Sequence, residues 1–280
     1  MSFRIAQVSD AHLSPSRPFF EANFSRAAQS VREAKPDLMI ASGDLSLNGA
    51  DSDEDLRHAV ARHAELGIDW LAVPGNHDIG DVPTLPGKQL VTPERQARWL
   101  AATGRQCWHR DIPGWRLIGL DTQSLPVDEA QWDACAEAVH GAGTRRIALF
   151  MHKPLCEETL ADTALNYWAV PPAPRARLLQ HFGENLPGLV ASGHVHQWRQ
   201  VEERGMRQVW APGTSFIVGD AWHEPRGAKL VGWVEHVLHA DGSHESMLRT
   251  VDGMSLNDLG TTPEVYGPLA RVSHGGAGGN

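Results

Sequence analysis

Five short stretches of the chain bring imidazole, carboxylate and amide side chains together at tight spacing: Asp10-x-His12, Gly43-Asp44, Gly75-Asn76-His77-Asp78, His152 and Gly193-His194-Val195-His196. Imidazole nitrogens, carboxylate oxygens and an amide oxygen form a donor set suited to Mn, Fe, Zn, Co or Ni. The set has no thiolate of the kind that selects Cu(I) or an iron–sulfur centre. Seven candidate donors are too many for one four-coordinate zinc, and they fit two metals that share a carboxylate and complete their shells with water. In the third stretch Asn76 offers a neutral oxygen, His77 a ligand or a proton, and Asp78 a group able to fix a neighbouring imidazole. Singly, each stretch is only a polar turn, because loops favour Asn and Asp for local hydrogen bonding. Their repetition is what carries the chemistry.

Each stretch follows an apolar run, and the runs dictate where the donors sit. Phe3 to Val8 alternates apolar and polar residues and reads as a strand ending at Ser9-Asp10. Phe20, Phe24, Ala27, Ala28 and Val31 recur at helical spacing until Pro36 stops them. Asp37 to Ala41 is a buried strand leading into Ser42-Gly43-Asp44. Leu56, Ala59, Val60, His63 and Ala64 mark a second helix closed by Gly67, and Trp70 to Val73 is a strand that stops at Pro74-Gly75. Such alternation predicts parallel strands with crossover helices, in which functional groups gather beyond the carboxyl ends of the strands. Further helices are expected over 93–102, 128–140 and 175–181, and further strands over 115–120, 146–150 and 189–191, the last two leading into His152 and His194. Segments at 200–201, 207–210, 229–236 and 246–251 read as antiparallel. A single domain is expected over 1–272, its last roughly 40 residues peripheral, followed by a disordered Gly-rich tail at 273–280.

At 280 residues, with 41% hydrophobic and 21% charged residues, the chain has the composition of an ordinary globular protein able to bury one substantial core. Its apolar runs fall far short of the roughly 20 residues that cross a bilayer, and its first residues enter a strand pattern without a signal-like segment. A cytoplasmic location without membrane contact is the expectation. A formal charge of −9 without a Lys/Arg cluster argues against a partner of nucleic-acid polymer type. Three widely spaced cysteines, Cys107, Cys135 and Cys156, argue against a disulfide framework and against a Cys-based zinc site. Of the fifteen histidines, those outside the motifs, such as His58, His63, His140 and His274, are expected at surface or half-buried positions without function.

In order and content the five stretches resemble the calcineurin-like metallophosphoesterases, whose pattern is D-x-H, GD, GNH followed by D or E, H, and G-H-x-H. The resemblance spans residues 10–196. It implies an α/β fold, a four-layer αββα sandwich of two facing mixed sheets flanked by helices. It also implies that Asp10, His12, Asp44 and His196 hold one metal while Asp44, Asn76, His152 and His194 hold the other, with His77 unbound near the scissile phosphate and oriented by Asp78. Two cations about 3.5–4 Å apart lower the pKa of a shared water for in-line attack and clamp the phosphate oxygens. His77 would stabilise or protonate the leaving oxygen, a contribution of about 10²–10⁴ in rate.

Within that superfamily the protein Ser/Thr phosphatases carry a GDxVDRG block; here it reads Gly43-Asp44-Leu45-Ser46-Leu47-Asn48-Gly49, without the Arg. The chain is most similar to the class III cyclic-nucleotide phosphodiesterase and glycerophosphodiesterase branch, which implies a small soluble phosphodiester as substrate and Mn or Fe, alternatively Zn, Co or Ni, as metals. A phosphomonoesterase acting on a nucleotide or sugar phosphate is the enzyme alternative. A scaffold that keeps the fold without catalysis, as the retromer subunit resembling this family does, is the non-enzyme one. Tyr167-Trp168 and Trp222-His223 could stack on a base or cover an alkyl group. Lys153, Arg226 and Arg17 read as surface charges, and the tryptophan-rich segments after residue 196 could support a homodimer or leave a monomer.

Overall fold

The computed structural model describes residues 2–84 and 89–271. The first third follows the expected alternation: β1 (Ser2–Val8), α1 (Glu21–Ala34), β2 (Leu38–Ala41), α2 (Asp53–Ala64) and β3 (Trp70–Ala72). Helix α2 starts where the sequence signals a start. The side chain of Ser52 accepts from the amide of Asp55, and Asp53, Glu54 and Asp55 occupy the first turn, where a helix dipole favours negative charge. A one-turn α3 (Asn76–Ile79) and α4 (Pro93–Thr103) lead to the hairpin of β4 (Trp108–Ile112) and β5 (Trp115–Leu120). The chain continues through α5 (Glu129–His140), β6 (Arg146–Met151), α6 (Pro172–Phe182), β7 (Leu189–Ser192), β8 (Arg199–Glu203) and β9 (Met206–Trp210). It closes with β10 (Phe216–Ile217), β11 (Trp233–His239), β12 (His244–Arg249), β13 (Asn257–Asp258), a 3-10 turn (Leu259–Thr261) and α7 (Pro263–Tyr266).

These strands form a five-stranded sheet in the order β12-β11-β1-β2-β3, a six-stranded sheet in the order β4-β5-β6-β7-β9-β8, and the short pair β10-β13. Side chains of alternate residues divide between two cores, as a strand buried on both faces requires. Ile5, Leu38 and Ile40 meet Leu117, Ala148 and Phe150 between the sheets. Their neighbours Ala6, Val8, Met39 and Ala41 pack outward on Phe24 and Val31 of α1 and Leu56 and Ala59 of α2. On the opposite side Ile118, Ile147, Leu149 and Val190 pack on Trp132 and Cys135 of α5 and Leu178 and Phe182 of α6. The result is the expected α/β arrangement of two mixed sheets flanked by helices.

The later part of the chain departs from its expected description. Strand β9 pairs parallel with β7 and antiparallel with β8, so only one of its neighbours has the expected direction. Strands expected over 229–236 and 246–251 lie at Trp233–His239 and His244–Arg249. Nor are the last residues peripheral, for β11 sits between β12 and β1 inside the first sheet. Strand β4 has no counterpart in the sequence reading. Cys107 is half-buried while Cys135 and Cys156 are buried, and all three are free thiols. Among the described residues no helix is long and apolar enough to cross a membrane. The expected Gly-rich tail at 273–280 lies outside the described residues.

Candidate metal centre

Each of the five polar stretches emerges at the carboxyl end of a parallel strand: Asp10 and His12 after β1, Asp44 after β2, Asn76 and His77 after β3, His152 after β6, and His194 and His196 after β7. Seven described non-glycine residues have positive φ, and five of them are Asp10, His12, Asp44, His194 and His196. Left-handed backbone is uncommon for side chains with a Cβ and persists where the surroundings over-determine it. Here hydrogen bonds between loops supply that constraint. Asp10 N donates to Gly43 O, His12 N to Asp44 O and Leu13 N to Leu45 O, each at 3.0 Å, which laces the loop after β1 to the loop after β2. Asp44, Asn76 and His194 each follow a glycine that makes room for residues of another stretch. A Cβ at Gly43 would collide with the His152 ring, one at Gly75 with the Asp44 carboxylate, and one at Gly193 with Ser9 and Asp10.

Three groups of donor atoms result, each with its members within 4.8 Å of one another and able to hold a metal ion: Asp10, His12 and His196; His12, Asp44 and His77; and Asp44, His152 and His194. Asp44 belongs to two of them. Its Oδ2 lies 3.3 Å from His152 Nε2 and 3.7 Å from His12 Nε2, while its Oδ1 accepts from the backbone amide of His77 at 2.8 Å. Asn76 joins the second half of the cluster through Oδ1, 3.2 Å from His152 Nε2. Asp10 Oδ1 stands 3.3 Å from His196 Nε2.

The far side of each imidazole is held by an acceptor, as is usual behind ligating histidines. His152 Nδ1 pairs with Ser42 O at 2.9 Å, His196 Nδ1 with Phe216 O at 2.8 Å, and His194 Nε2 with Tyr167 O at 3.1 Å. His194 therefore turns Nδ1 toward the cluster, and the other two turn Nε2. His12 Nδ1 meets Tyr266 Oη at 2.6 Å, leaving His12 Nε2 buried without a hydrogen-bond partner. An orphaned lone pair aimed at a carboxylate fits a cation between them.

Electrostatics agree with that fit at Asp10, Asp44, His12 and His194. Burial works against charge on Asp10 and Asp44, yet the imidazoles around them hold both carboxyls below their usual range: His196 first for Asp10, His152 and His77 first for Asp44. Burial pushes His12 well down, and burial together with Lys153 does the same to His194, so both rings are neutral and offer a lone pair. Burial is outweighed at His152, where Asp44 and then Asp10 raise the imidazole to about 9.

His77 is half-buried, its ring 4.9 Å from that of His12 and 4.5 Å from that of Tyr266. The expectation that Asp78 orients this ring needs correction. Asp78 Oδ1 accepts from Ser46 N and Ser46 Oγ, and Oδ2 from Gly75 N and Leu45 N. Its carboxylate thus ties the turn after β3 to the loop after β2, and its burial beside Asp44 raises it to about 6.

A cavity of about 350 Å³ opens over His12, Asp44, His77, His194 and His196. Tyr167, Trp168 and Trp222 line it, whereas His223 stands behind Trp168, stacked at 3.7 Å. Four further residues, Leu259, Tyr266, Leu269 and Ala270, come from the end of the chain and carry no motif that could have flagged them. None of the three cations considered in the sequence lines the cavity. Lys153 is buried, with Nζ 3.3 Å from Asp81 and 2.8 Å from Tyr167 O; Arg226 pairs with Glu158 and Glu224; Arg17 donates to Val265 O.

A family model described as calcineurin-like phosphoesterase matches residues 3–198, a span that holds every donor named above. The chain belongs to the calcineurin-like phosphoesterases. As a member of that family it is a metal-dependent phosphoester hydrolase. This phosphoesterase is 27% identical over 276 residues to a probable cyclic nucleotide phosphodiesterase of Synechococcus, covering 92% of this chain and 96% of the relative. To a 3′,5′-cyclic adenosine monophosphate phosphodiesterase, CpdA, of Vibrio vulnificus it is 26% identical over 289 residues, covering 92% and 94%. Both names fall in the branch that the motifs resemble. Among solved structures, a purple acid phosphatase from yellow lupin shares the fold with a TM-score of 0.66 at 12% identity, over 92% of this chain and 53% of that one.

Proposed function

We propose that this phosphoesterase hydrolyses a small phosphodiester, of cyclic-nucleotide or related type, at a dinuclear centre of the Mn or Fe class. The observation that carries the reading is Asp44, whose carboxylate stands between His12 on one side and His152 on the other. In this reading Asp10, His12, Asp44 and His196 hold one metal and Asp44, Asn76, His152 and His194 the second. When bound, the pair supplies Lewis acidity toward the phosphate oxygens and an activated water for in-line attack.

The chain's own residues do the rest. The interlocked backbone around Asp10, Asp44 and His194 fixes the donors before substrate arrives, so that little reorganisation remains at the moment of reaction. His77, anchored to Asp44 through its backbone amide, presents its imidazole to the cavity, where it stabilises or protonates the leaving oxygen. The described residues lining the cavity include no Lys or Arg, which favours a singly charged diester over a monoester dianion. The names of the two bacterial relatives point to the same reaction class.

The test is metal analysis of the purified chain combined with hydrolysis of bis-p-nitrophenyl phosphate, p-nitrophenyl phosphate and 2′,3′- and 3′,5′-cyclic nucleotides after Mn reconstitution. Two metals per chain with diester turnover that Asp44→Ala abolishes is the expected result. Monoester turnover alone overturns the diester reading.

A further inference from the structure

The cavity over the metal centre has two unlike sides. Its floor is polar, formed by His12, Asp44, His77, His194 and His196. Beside the floor stands an apolar wall of Phe216, whose ring stacks on that of His196 at 4.2 Å, with Val218, Trp222, Leu259 and Leu269, drawn from β10 with the loop behind it and from the last residues of the described chain. Phe216, Val218 and Leu259 belong to one apolar cluster, with Trp222 and Leu269 packed against it, so the wall is continuous. Trp222 is fixed in place. Its ring lies directly on the backbone of Gly260, where a Cβ would collide with it, and the Arg271 guanidinium stands 5.8 Å from its ring centroid. Arg271 is not among the residues that line the cavity.

Resting on the diester reading above, we infer that this wall is a subsite for the organic group of the substrate, and that it selects an uncharged aromatic or aliphatic substituent. A phosphate held at the floor places its ester substituent within the same cavity, against carbon. Burying an aryl ring there gains roughly 25 cal/mol per Å² of apolar area. A substituent bearing a second phosphate would lose hydration and find no Lys or Arg among the described lining residues, and one bearing an ammonium would find a single carboxylate, Asp44, already shared between two groups of metal donors. The preferred substrate is therefore an ester of a flat base, an aryl group or an alkyl chain, and not of a charged head group.

Three phosphonates that share one anionic group test this without turnover: methylphosphonate, phenylphosphonate and 2-aminoethylphosphonate, titrated calorimetrically into the Mn-loaded chain. Phenylphosphonate is expected to bind tenfold or more tightly than methylphosphonate, and 2-aminoethylphosphonate no better than methylphosphonate. Trp222→Ala should remove the preference for phenyl while leaving methylphosphonate unchanged. Leu269→Gln, a polar change at a half-exposed position, should weaken phenyl binding in the same way in a chain whose fold is not at issue. Equal affinities, tightest binding of 2-aminoethylphosphonate, or a phenyl preference that survives both substitutions overturns the inference. If methylphosphonate binds and diesters turn over while phenyl is not preferred, the subsite fails and the diester reading stands; if nothing binds and no diester turns over, the diester reading itself fails.

Discussion

Tyr266 Oη lies 2.6 Å from His12 Nδ1 and donates to Leu47 O at 3.1 Å, so the phenol accepts the imidazole N–H and fixes the tautomer whose Nε2 faces Asp44. Burial holds this phenol well above its usual pKa, which keeps it a donor to Leu47 throughout the working range. Outer partners of ligating histidines typically contribute 10–100-fold in metal affinity. Tyr266→Phe should weaken metal binding by roughly that factor and leave the circular dichroism spectrum unchanged. Competitive metal titration against a chelating dye reads the effect. Activity regained at excess metal would match a positioning role, and unchanged affinity would remove it.

Adjacent residues His77 and Asp78 should give opposite phenotypes. His77→Ala removes a half-buried ring that packs near His12 and Tyr266, and it is expected to bind metal and fold normally. Its turnover of an ester with a poor leaving group should fall by about 10²–10⁴, with a smaller loss for p-nitrophenol esters. Asp78→Asn keeps one acceptor for four donors and turns an amide N–H toward backbone N–H groups. The expected cost is roughly 2–4 kcal/mol of stability, seen as a lower urea midpoint, with no change in leaving-group dependence. A selective loss on poor leaving groups in Asp78→Asn would restore a direct link to His77.

Gly193 is not among the residues with positive φ, so a substitution there reports on space alone. A Cβ would enter the volume of Ser9 Oγ and the Asp10 carboxylate, which also accepts the His194 amide at 3.0 Å. Gly193→Ala should therefore displace Asp10, lower the melting temperature and weaken metal binding together, at a stability cost of order 1–3 kcal/mol. Metal affinity equal to wild type would show that the loops after β1 and β7 can separate without harm.

Much of this site was legible in the sequence because its donors are local. Asp10-x-His12 and Gly193-His194-x-His196 each sit within a few residues of the apolar strand that carries them, and the strand's carboxyl end is the only place they can project. What brings the wall and the second partner of His12 into place is tertiary. Tyr266 reaches His12 across 254 residues, and nothing in Pro263–Tyr266 marks it as near a metal. Strand direction was equally hidden: Arg207–Trp210 alternates as any half-buried strand does, and only the pairing with β7 makes it parallel there. Trp108–Ile112 does not read as a strand in sequence because polar residues hold its middle, its partners being Gly119 through Trp115 across a tight hairpin. His63 misled for the opposite reason. Its helical spacing placed it on the buried face of α2, and its residue type argued for the surface.

His63 is almost wholly buried, its ring 4.7 Å from that of Phe24 and stacked 5.6 Å from that of Trp70, with Nδ1 donating to Ala59 O at 2.8 Å. Burial lowers its pKa to about 4. In the unfolded chain an imidazole titrates near 6.5. Because the folded value is the lower one, the unfolded chain takes up this proton first as pH falls, and stability is lost between pH 6.5 and 4. At pH 5 the loss from this one group is roughly 2 kcal/mol relative to pH 7. His63→Phe keeps the aromatic packing and the shape, and the backbone amide of residue 63 still reaches Ala59 O within α2. Urea denaturation at pH 7 and pH 5 should therefore show a shallower acid loss in the variant by about that amount. Two other histidines, the buried His236 at about 3 and the half-buried His244 at about 4, leave an acid slope in both proteins, so the difference between the two slopes carries the test. Parallel slopes would mean that His63 escapes burial in the folded chain before it protonates.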